Sequence, residues 1–127
     1  MKQETLDYIK DTCAKHNVAL EFYDIHIEES TYHAKARRLD LGTLYFDDFR
    51  DDAIALHEVA HIKQHDEGYI PMRLMHAGFF PKTMQIIVEA NATEMAIYSM
   101  VYELPTDHYS FEKGRKYLQE KLKEYKK

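Results

Sequence analysis

The chain has 127 residues, 45% of them hydrophobic and 31% charged, which predicts one folded domain over residues 1–127 and excludes a disordered chain. Its net charge of −5 argues against direct nucleic-acid binding, and its single cysteine, Cys13, excludes an intramolecular disulfide and a cysteine-rich zinc site. The sequence has no apolar run of membrane-spanning length and no signal-peptide core, so it predicts a cytoplasmic protein without a membrane partner.

The first predicted elements are a helix and a small sheet. Apolar residues at helical spacing predict a helix from Gln3 to about His16, with Asn17 as its stop. Alternating residues rich in β-formers then predict two or three antiparallel strands, the last ending near Phe46. Gly42 is expected to separate the final short apolar run, TLYF, from the alternation before it.

The rest of the chain is predicted to be mainly helical. A sharp change of period predicts a central, largely buried helix from about Phe49 to Asp66, followed by Gly68. A stretch with two prolines and two glycines indicates a packed loop or short helical turn, and a second buried helix is predicted from Lys82 to about Glu103. With a C-terminal surface helix, these elements predict an α+β fold in which a small antiparallel sheet packs on a helical core.

The central helix carries the run His57-Glu58-Val59-Ala60-His61, which is an H-E-x-x-H pattern. Residues four apart lie on one face of a helix, about 6 Å from each other, so the two histidines can bind one metal ion as tetrahedral Zn²⁺ requires. Glu58 lies beside that point, where its carboxylate could act as general base towards a water whose pKa the metal lowers. The alternative is a pair of satisfied core histidines, although buried His and Glu side chains are costly unless paired or metal-bound.

A third protein ligand is needed, leaving the fourth position for water. His65 lies about 12 Å along the helix axis from His57, so we expect it to cap the helix, support the site from outside or face solvent. Glu89 and Glu94 on the second buried helix are better candidates, and because they are five residues apart only one can face the metal. Glu89 is preferred for its apolar surroundings, with Glu94 as the substitute. The alternative for Glu89 is a buried salt bridge with one of three basic residues: Arg37, Arg38 or Lys63.

The run HEVAHIKQH, followed 28 residues after His61 by EANATE, resembles the ImmA/IrrE family of zinc metallopeptidases, in which an H-E-x-x-H helix precedes a helix bearing Glu-Ala-Asn or a similar run. The resemblance covers the chain from about Leu41 to Tyr98. It implies three zinc ligands: His57, His61 and Glu89. It also implies that Glu58 is the general base, that His65 matches a histidine often present there, and that the fold is a minimal, single-domain, gluzincin-like zincin.

The sequence therefore predicts a zinc-dependent endopeptidase, a hydrolase that cuts a specific intracellular protein. Some members of the ImmA/IrrE family cut a DNA-binding repressor of a phage or mobile element, which suggests the class of protein partner. One rival hypothesis is a non-proteolytic zinc-binding regulatory or toxin-like module that acts by protein–protein interaction. The other is a metal-free helical interaction domain.

Three further features are expected around the predicted catalytic site: a strand that holds the substrate, a donor to the oxyanion and a group of large apolar residues. The strand ending in TLYF is expected to hold an extended substrate by main-chain pairing. The donor to a tetrahedral oxyanion is left open among four residues: Tyr69, His76, Tyr98 and His108. Five large apolar residues either plug the core between the helices, as such residues more often do, or form a substrate-facing lid or an adaptable protein-binding surface: Met72, Leu74, Met75, Phe79 and Phe80.

Overall fold

The computed structural model describes residues 1–46, 48–104 and 111–125, and it confirms the α+β fold class. The strands are β1 (Ala19–His26), β2 (Thr31–His33) and β3 (Arg38–Leu44). The α-helices are α1 (Gln3–Lys15), α2 (Asp48–Glu67), α3 (Ile70–His76), α4 (Pro81–Tyr98) and α5 (Phe111–Tyr125). A 3-10 turn, Ile27–Glu29, follows β1, and a π-helical turn, Ser99–Glu103, continues α4.

The sheet is mixed, so the prediction of a purely antiparallel sheet is wrong for one of its strand pairs. Its order is β1-β3-β2, in which β2 runs antiparallel to β3 and β1 runs parallel to it. The chain leaves β1 through the 3-10 turn, forms β2 at the far edge, and returns through residues 34–37 as β3. β3 takes the centre because it carries the fully buried Leu39 and Leu41, whereas β1 is mostly exposed.

Gly42 lies inside β3, and the prediction that it separates two segments is wrong. A Cβ atom at this position would lie 2.4 Å from the carbonyl oxygen of His26 in the neighbouring strand, far inside van der Waals contact. The register between β1 and β3 shifts between Tyr23 and His26, where the backbone of β1 comes close to Gly42. Glycine is therefore needed here because the two backbones approach each other too closely for any side chain.

We expect Gly42→Ala to lower the free energy of unfolding by about 3 kcal/mol, because the backbone of β1 must move to admit the methyl group. Gly78→Ala is the matched control, since a Cβ there meets nothing within 4 Å and only its φ of +87° opposes the change. That conformational cost is about 1 kcal/mol. Urea unfolding followed by circular dichroism measures both variants, and equal losses would show that the contact with β1 is not what requires Gly42.

The central helix is confirmed with nearly the predicted bounds, since α2 runs from Asp48 to Glu67 where about Phe49 to Asp66 was expected. It packs against α1, α3, α4 and the sheet, and Gly68 follows it with a φ of +69°. Its apolar residues are buried on several sides: Ala53, Ala55, Leu56, Val59, Ala60 and Ile62. Three polar residues of this helix are buried with them: Asp51, Asp52 and Gln64.

The second helix is also confirmed, with α4 from Pro81 to Tyr98 and the π-helical turn ending at Glu103, but its predicted burial holds only from Val88 onward, since the first half of α4 is largely exposed. The stretch before it, predicted as a packed loop or short helical turn, contains the seven-residue helix α3. α3 packs on α4, and α4 packs along α2, so that these two long helices form the frame of the candidate site. In the described part of the chain, no helix combines the length and apolar character needed to cross a membrane.

Candidate metal centre

The packing of α2 against α4 brings together the three side chains predicted as metal ligands. His57 Nε2 lies 2.7 Å from Glu89 Oε2, and His61 Nε2 lies 3.2 Å from Glu89 Oε1. One possible ligand atom from each residue lies within 4.8 Å of the other two, and all three residues are partly buried. Among the described residues, these three form the group that could hold a metal ion.

The spacing of these atoms fits a small divalent ion. A tetrahedral ion at about 2.0–2.1 Å from each nitrogen or oxygen holds its ligand atoms about 3.3 Å apart. Glu89 contacts His57 through Oε2 at 2.7 Å and His61 through Oε1 at 3.2 Å, and one possible ligand atom from each of the three residues lies within 4.8 Å of the other two. These separations lie around the value that a bound ion requires.

A hydrogen bond between the Nδ1 atom of His57 and Thr93 determines which ring nitrogen of His57 carries the proton. Thr93 Oγ1 donates to the carbonyl oxygen of Glu89 at 3.0 Å, one turn earlier on α4. The hydroxyl has a single proton, so towards His57 it acts as acceptor, and the Nδ1–H of His57 donates to it at 3.0 Å. The Nε2 atom of His57 then carries a lone pair that faces Glu89.

The proton of His61 is fixed in the same way by Gln64, which is buried on α2. Gln64 Nε2 donates to the carbonyl oxygen of Val88 at 3.0 Å and to Asn91 Oδ1 at 2.8 Å. Its Oε1 atom therefore faces His61 and accepts the Nδ1–H at 2.9 Å. The Nε2 atom of His61 is left as a lone-pair donor, as in His57.

In their neutral forms both imidazoles present an Nε2 lone pair to the carboxylate of Glu89, so each contact is favourable only when a proton or a metal ion lies between the two atoms. Without a metal, protons on Nε2 supply the hydrogen bonds to Glu89. Burial alone would raise the pKa of Glu89, but its hydrogen bonds with His57 and His61 hold that pKa at about 2. Burial lowers the pKa of His61, but Glu89, Glu58 and Gln64 together raise that pKa by more, so it lies above its ordinary value. The group therefore holds a proton tightly when no metal is bound, and a metal ion would take the place of that proton.

Glu58 lies beside the three ligands and is not one of them. Its Oε2 atom accepts a hydrogen bond of 3.0 Å from the backbone N–H of Tyr32, in the edge strand β2. Burial raises the pKa of Glu58, and the neighbouring His61 and His57 oppose this rise. A carboxylate that is partly desolvated and held by one oxygen has its other oxygen available for proton transfer.

His65 lies outside the ligand group, as its distance along the helix predicted. Its Nδ1 atom is 3.1 Å from the hydroxyl of Tyr32, whose backbone N–H binds Glu58. His65 therefore supports the site from outside, since it helps to hold the residue that positions Glu58. Sequence patterns gave no indication of Tyr32, because its role depends on β2 lying next to α2.

The predicted alternatives for Glu89 are not observed. The basic residues proposed for a salt bridge pair elsewhere, namely Arg37 with Asp66, Arg38 with Asp40, and Lys63 with Tyr8 and Glu103. Glu94 is exposed and lines a separate groove between α1, α2 and α4. The rotation of α4 against α2 thus directs Glu89, and not Glu94, towards the two histidines.

A small cleft of about 160 Å³ opens beside His57 and Glu58. One wall is formed by α2 together with Thr93, and the other by side chains of the C-terminal helix α5, including Tyr117 and Lys121. This contribution of α5 was not predicted, because an amphipathic helix carries no sequence signal for the surface on which it packs. Of the predicted oxyanion donors, Tyr98 lines the separate groove and His108 lies outside the described residues.

The strand ending in TLYF, predicted to hold the substrate, is β3 as far as Leu44, and that role stays a prediction. β1 lies along one side of β3, and on the other side β2 pairs only with residues 38–40. The edge nearest the candidate site belongs to β2, where the N–H of Tyr32 points to Glu58. The sequence could not distinguish these strands, since strand order is set by packing and not by alternation.

We expect Thr93→Val to weaken zinc binding by about 10–100-fold, because the isosteric valine cannot accept the Nδ1–H of His57. Thr83→Val, at an exposed position of the same helix, is the matched control and should leave the affinity unchanged. Competition with a chromophoric zinc chelator measures both dissociation constants. Equal affinities for the two variants would mean that the hydroxyl of Thr93 does not orient His57.

Comparison with known proteins adds no family assignment, since no family model, no curated protein and no solved structure matches this chain. The resemblance to ImmA/IrrE metallopeptidases therefore stays a prediction from the motif. The function of the chain has to be inferred from that motif and from the geometry of the described residues.

Proposed function

We propose that this chain is a zinc-dependent endopeptidase that acts in the cytoplasm on a specific protein. The observation that carries the proposal is the convergence of the Nε2 atoms of His57 and His61 on Glu89, with Glu58 next to them. A structural metal site has no need of an adjacent carboxylate outside the ligand set, whereas a hydrolytic site does. The motif's resemblance to the ImmA/IrrE family suggests a repressor of a phage or mobile element as the substrate.

Zinc is the ion that this donor set favours, because two imidazoles and one carboxylate are typical ligands of catalytic zinc. Bound there, it would polarise a peptide carbonyl and lower the pKa of water. His57 and His61 are suited to hold it because Thr93 and Gln64 bind their Nδ1–H groups and leave both Nε2 atoms free to coordinate.

Glu58 is proposed as the general base and then the general acid. Its Oε2 atom is occupied by the N–H of Tyr32, so Oε1 is the atom that takes a proton from the attacking water. Burial raises the pKa of this carboxyl group and so favours its protonated form, which allows it to keep the proton until the leaving amine accepts it. The contact of His65 with Tyr32 helps to keep Glu58 in this position.

The cleft lined by His57 and Glu58 is small. Its volume of about 160 Å³ admits one side chain or a short length of backbone, and not a folded domain. A protein substrate would therefore have to present an exposed loop or an unfolded segment. This is consistent with a narrow substrate range and with weak activity on generic proteins.

The direct test is a comparison of newly formed protein N-termini in a lysate of the source cells. Zinc-loaded wild-type protein should generate specific new N-termini that zinc-loaded Glu58→Gln protein does not. Formation of the same N-termini by both proteins would contradict the proposal. A biological effect that survives in Glu58→Gln would favour the rival hypothesis, a zinc-binding module that acts by protein–protein interaction.

A further inference from the structure

Large apolar side chains are exposed on the helical hairpin formed by α3 and the first half of α4. Six such residues lie within this short stretch: Ile70, Leu74, Phe79, Phe80, Ile86 and Ile87. We call them the hairpin surface. Only Met72 of the hairpin's α3 is buried, so these residues do not plug the core between the helices. Scattered single exposures are ordinary, but a concentration of this kind marks a contact surface.

Phe80 is the most exposed of these residues and is held in a strained conformation. Its side chain is 72% exposed, and its φ of 44° and ψ of 55° lie in the left-handed region that favours glycine. A buried phenylalanine could offset such strain through packing, but an exposed one gains little from folding. An exposed aromatic ring on a strained backbone therefore points to a role in binding.

The charges around the hairpin surface indicate the kind of partner. Residues 68–88 contain Arg73, His76 and Lys82 but no aspartate or glutamate, although the whole chain has a net charge of −5. All three basic side chains are exposed. The complement of a basic, apolar surface is a segment in which apolar side chains alternate with carboxylates.

The hairpin surface also leads directly to the candidate metal centre. Ile86 is exposed and lies three residues before Glu89 on α4, which places their Cβ atoms about 5–6 Å apart on one side of the helix. A chain that covers Ile86 would therefore pass close to the ligand Glu89. This continuity favours a segment of the substrate over a partner bound away from the site.

We infer that the hairpin surface docks an acidic amphipathic segment of the protein substrate, next to the bond that is cut. The inference rests on the proposed function in treating the docked segment as substrate. Docking itself requires neither zinc nor cleavage, so it can be measured in protein that cannot turn over. The apolar residues would supply affinity, and Arg73 and Lys82 would select an acidic segment.

The experiment measures binding of two fluorescein-labelled amphipathic peptides to the full chain by fluorescence anisotropy, with and without zinc. Both peptides carry leucine and phenylalanine on one helical face, and the other face carries glutamate in one and lysine in the other. We expect the glutamate peptide to bind at least tenfold more tightly, and Arg73→Glu with Lys82→Glu to reverse this preference. Equal affinity for the two peptides would overturn the inference.

Phe80→Gly separates docking from folding. Glycine adopts the left-handed conformation without strain, so the variant should keep or exceed the wild-type melting temperature while its affinity for the glutamate peptide falls at least tenfold. Phe22→Ser is the matched control, because Phe22 is an exposed aromatic residue on β1, and its substitution should leave the affinity unchanged. Unchanged binding in Phe80→Gly would overturn the inference.

Two other possible occupants of the hairpin surface, a second copy of the chain and a lipid surface, are tested with the same proteins. Sedimentation of wild type and Phe80→Gly would detect a second copy of the chain as a dimer that the substitution dissociates. Flotation with vesicles of equal parts phosphatidylglycerol and phosphatidylcholine would detect a lipid surface. Either result would overturn docking of an acidic segment. Binding of the glutamate peptide without cleavage of any protein would instead support docking while the proposed peptidase function fails.

Discussion

Wild-type protein is expected to retain about one zinc ion per chain after dialysis, and Glu89→Ala protein is expected to retain almost none. Glu89 supplies the charged member of a three-residue ligand set, and its carboxylate contacts the Nε2 atoms of both His57 and His61. Its removal leaves only two neutral ligands. We therefore expect the affinity for zinc to fall by about 100-fold or more, which exceeds the 10–100-fold loss typical when a residue that supports a ligand is replaced. Elemental analysis gives the zinc content, and chelator competition gives the dissociation constant.

Glu94→Ala is the matched control, because Glu94 lies on the same helix, carries the same charge and is exposed. Its zinc content should equal that of the wild type. Loss of zinc in Glu94→Ala with retention in Glu89→Ala would show that α4 is rotated differently against α2. Absence of zinc from every protein, even after reconstitution, would remove the peptidase proposal and leave the histidines as a buried pair with Glu89.

Glu58→Gln is expected to bind zinc as the wild type does but to cleave its substrate about 10²–10⁴-fold more slowly. The amide is nearly isosteric with the carboxylate and still offers an oxygen to the N–H of Tyr32, so the site should keep its geometry. What it cannot do is take a proton from water. The formation rate of the specific N-termini measures the loss, with zinc content determined on the same samples.

Glu67→Gln serves as the control for this second variant, since Glu67 is exposed at the end of the same helix. It changes the net charge by the same amount and should leave the cleavage rate unchanged. A reduced zinc content in Glu58→Gln would weaken the interpretation of Glu58 as a base, because it would place that residue among the ligands. Full activity in Glu58→Gln would exclude it from catalysis.

The sequence predicted the part of the site that lies on one helix. His57, Glu58 and His61 keep fixed positions relative to one another wherever an α-helix contains them, since helical geometry is local. The bounds of α2 were predicted for the same reason: the change of hydrophobic period and the glycine after the helix are signals within a short stretch. The distance of His65 along the axis likewise followed from the helical rise alone.

The third ligand could be narrowed from sequence to Glu89 or Glu94 but not decided. Both residues lie on α4, and the choice depends on how that helix is rotated against α2. The supporting hydrogen bonds of Thr93 and Gln64 have a partial sequence signal, since Thr93 lies one turn after Glu89 and Gln64 one turn after His61. Their partners became clear only when the helices were placed side by side.

Properties that depend on contacts between distant segments were decided by the tertiary structure alone. Strand order is one, because alternation shows that a segment is a strand but not which strand buries its leucines at the centre. The exposure of Phe79 and Phe80 is another, since an apolar residue near a turn can face either the core or solvent. The sequence by itself thus determined the local geometry of two histidines and a glutamate on one helix. Only the packing of α4, β2 and α5 around that helix decided which carboxylate faces the histidines, how Glu58 is held and what surface surrounds them.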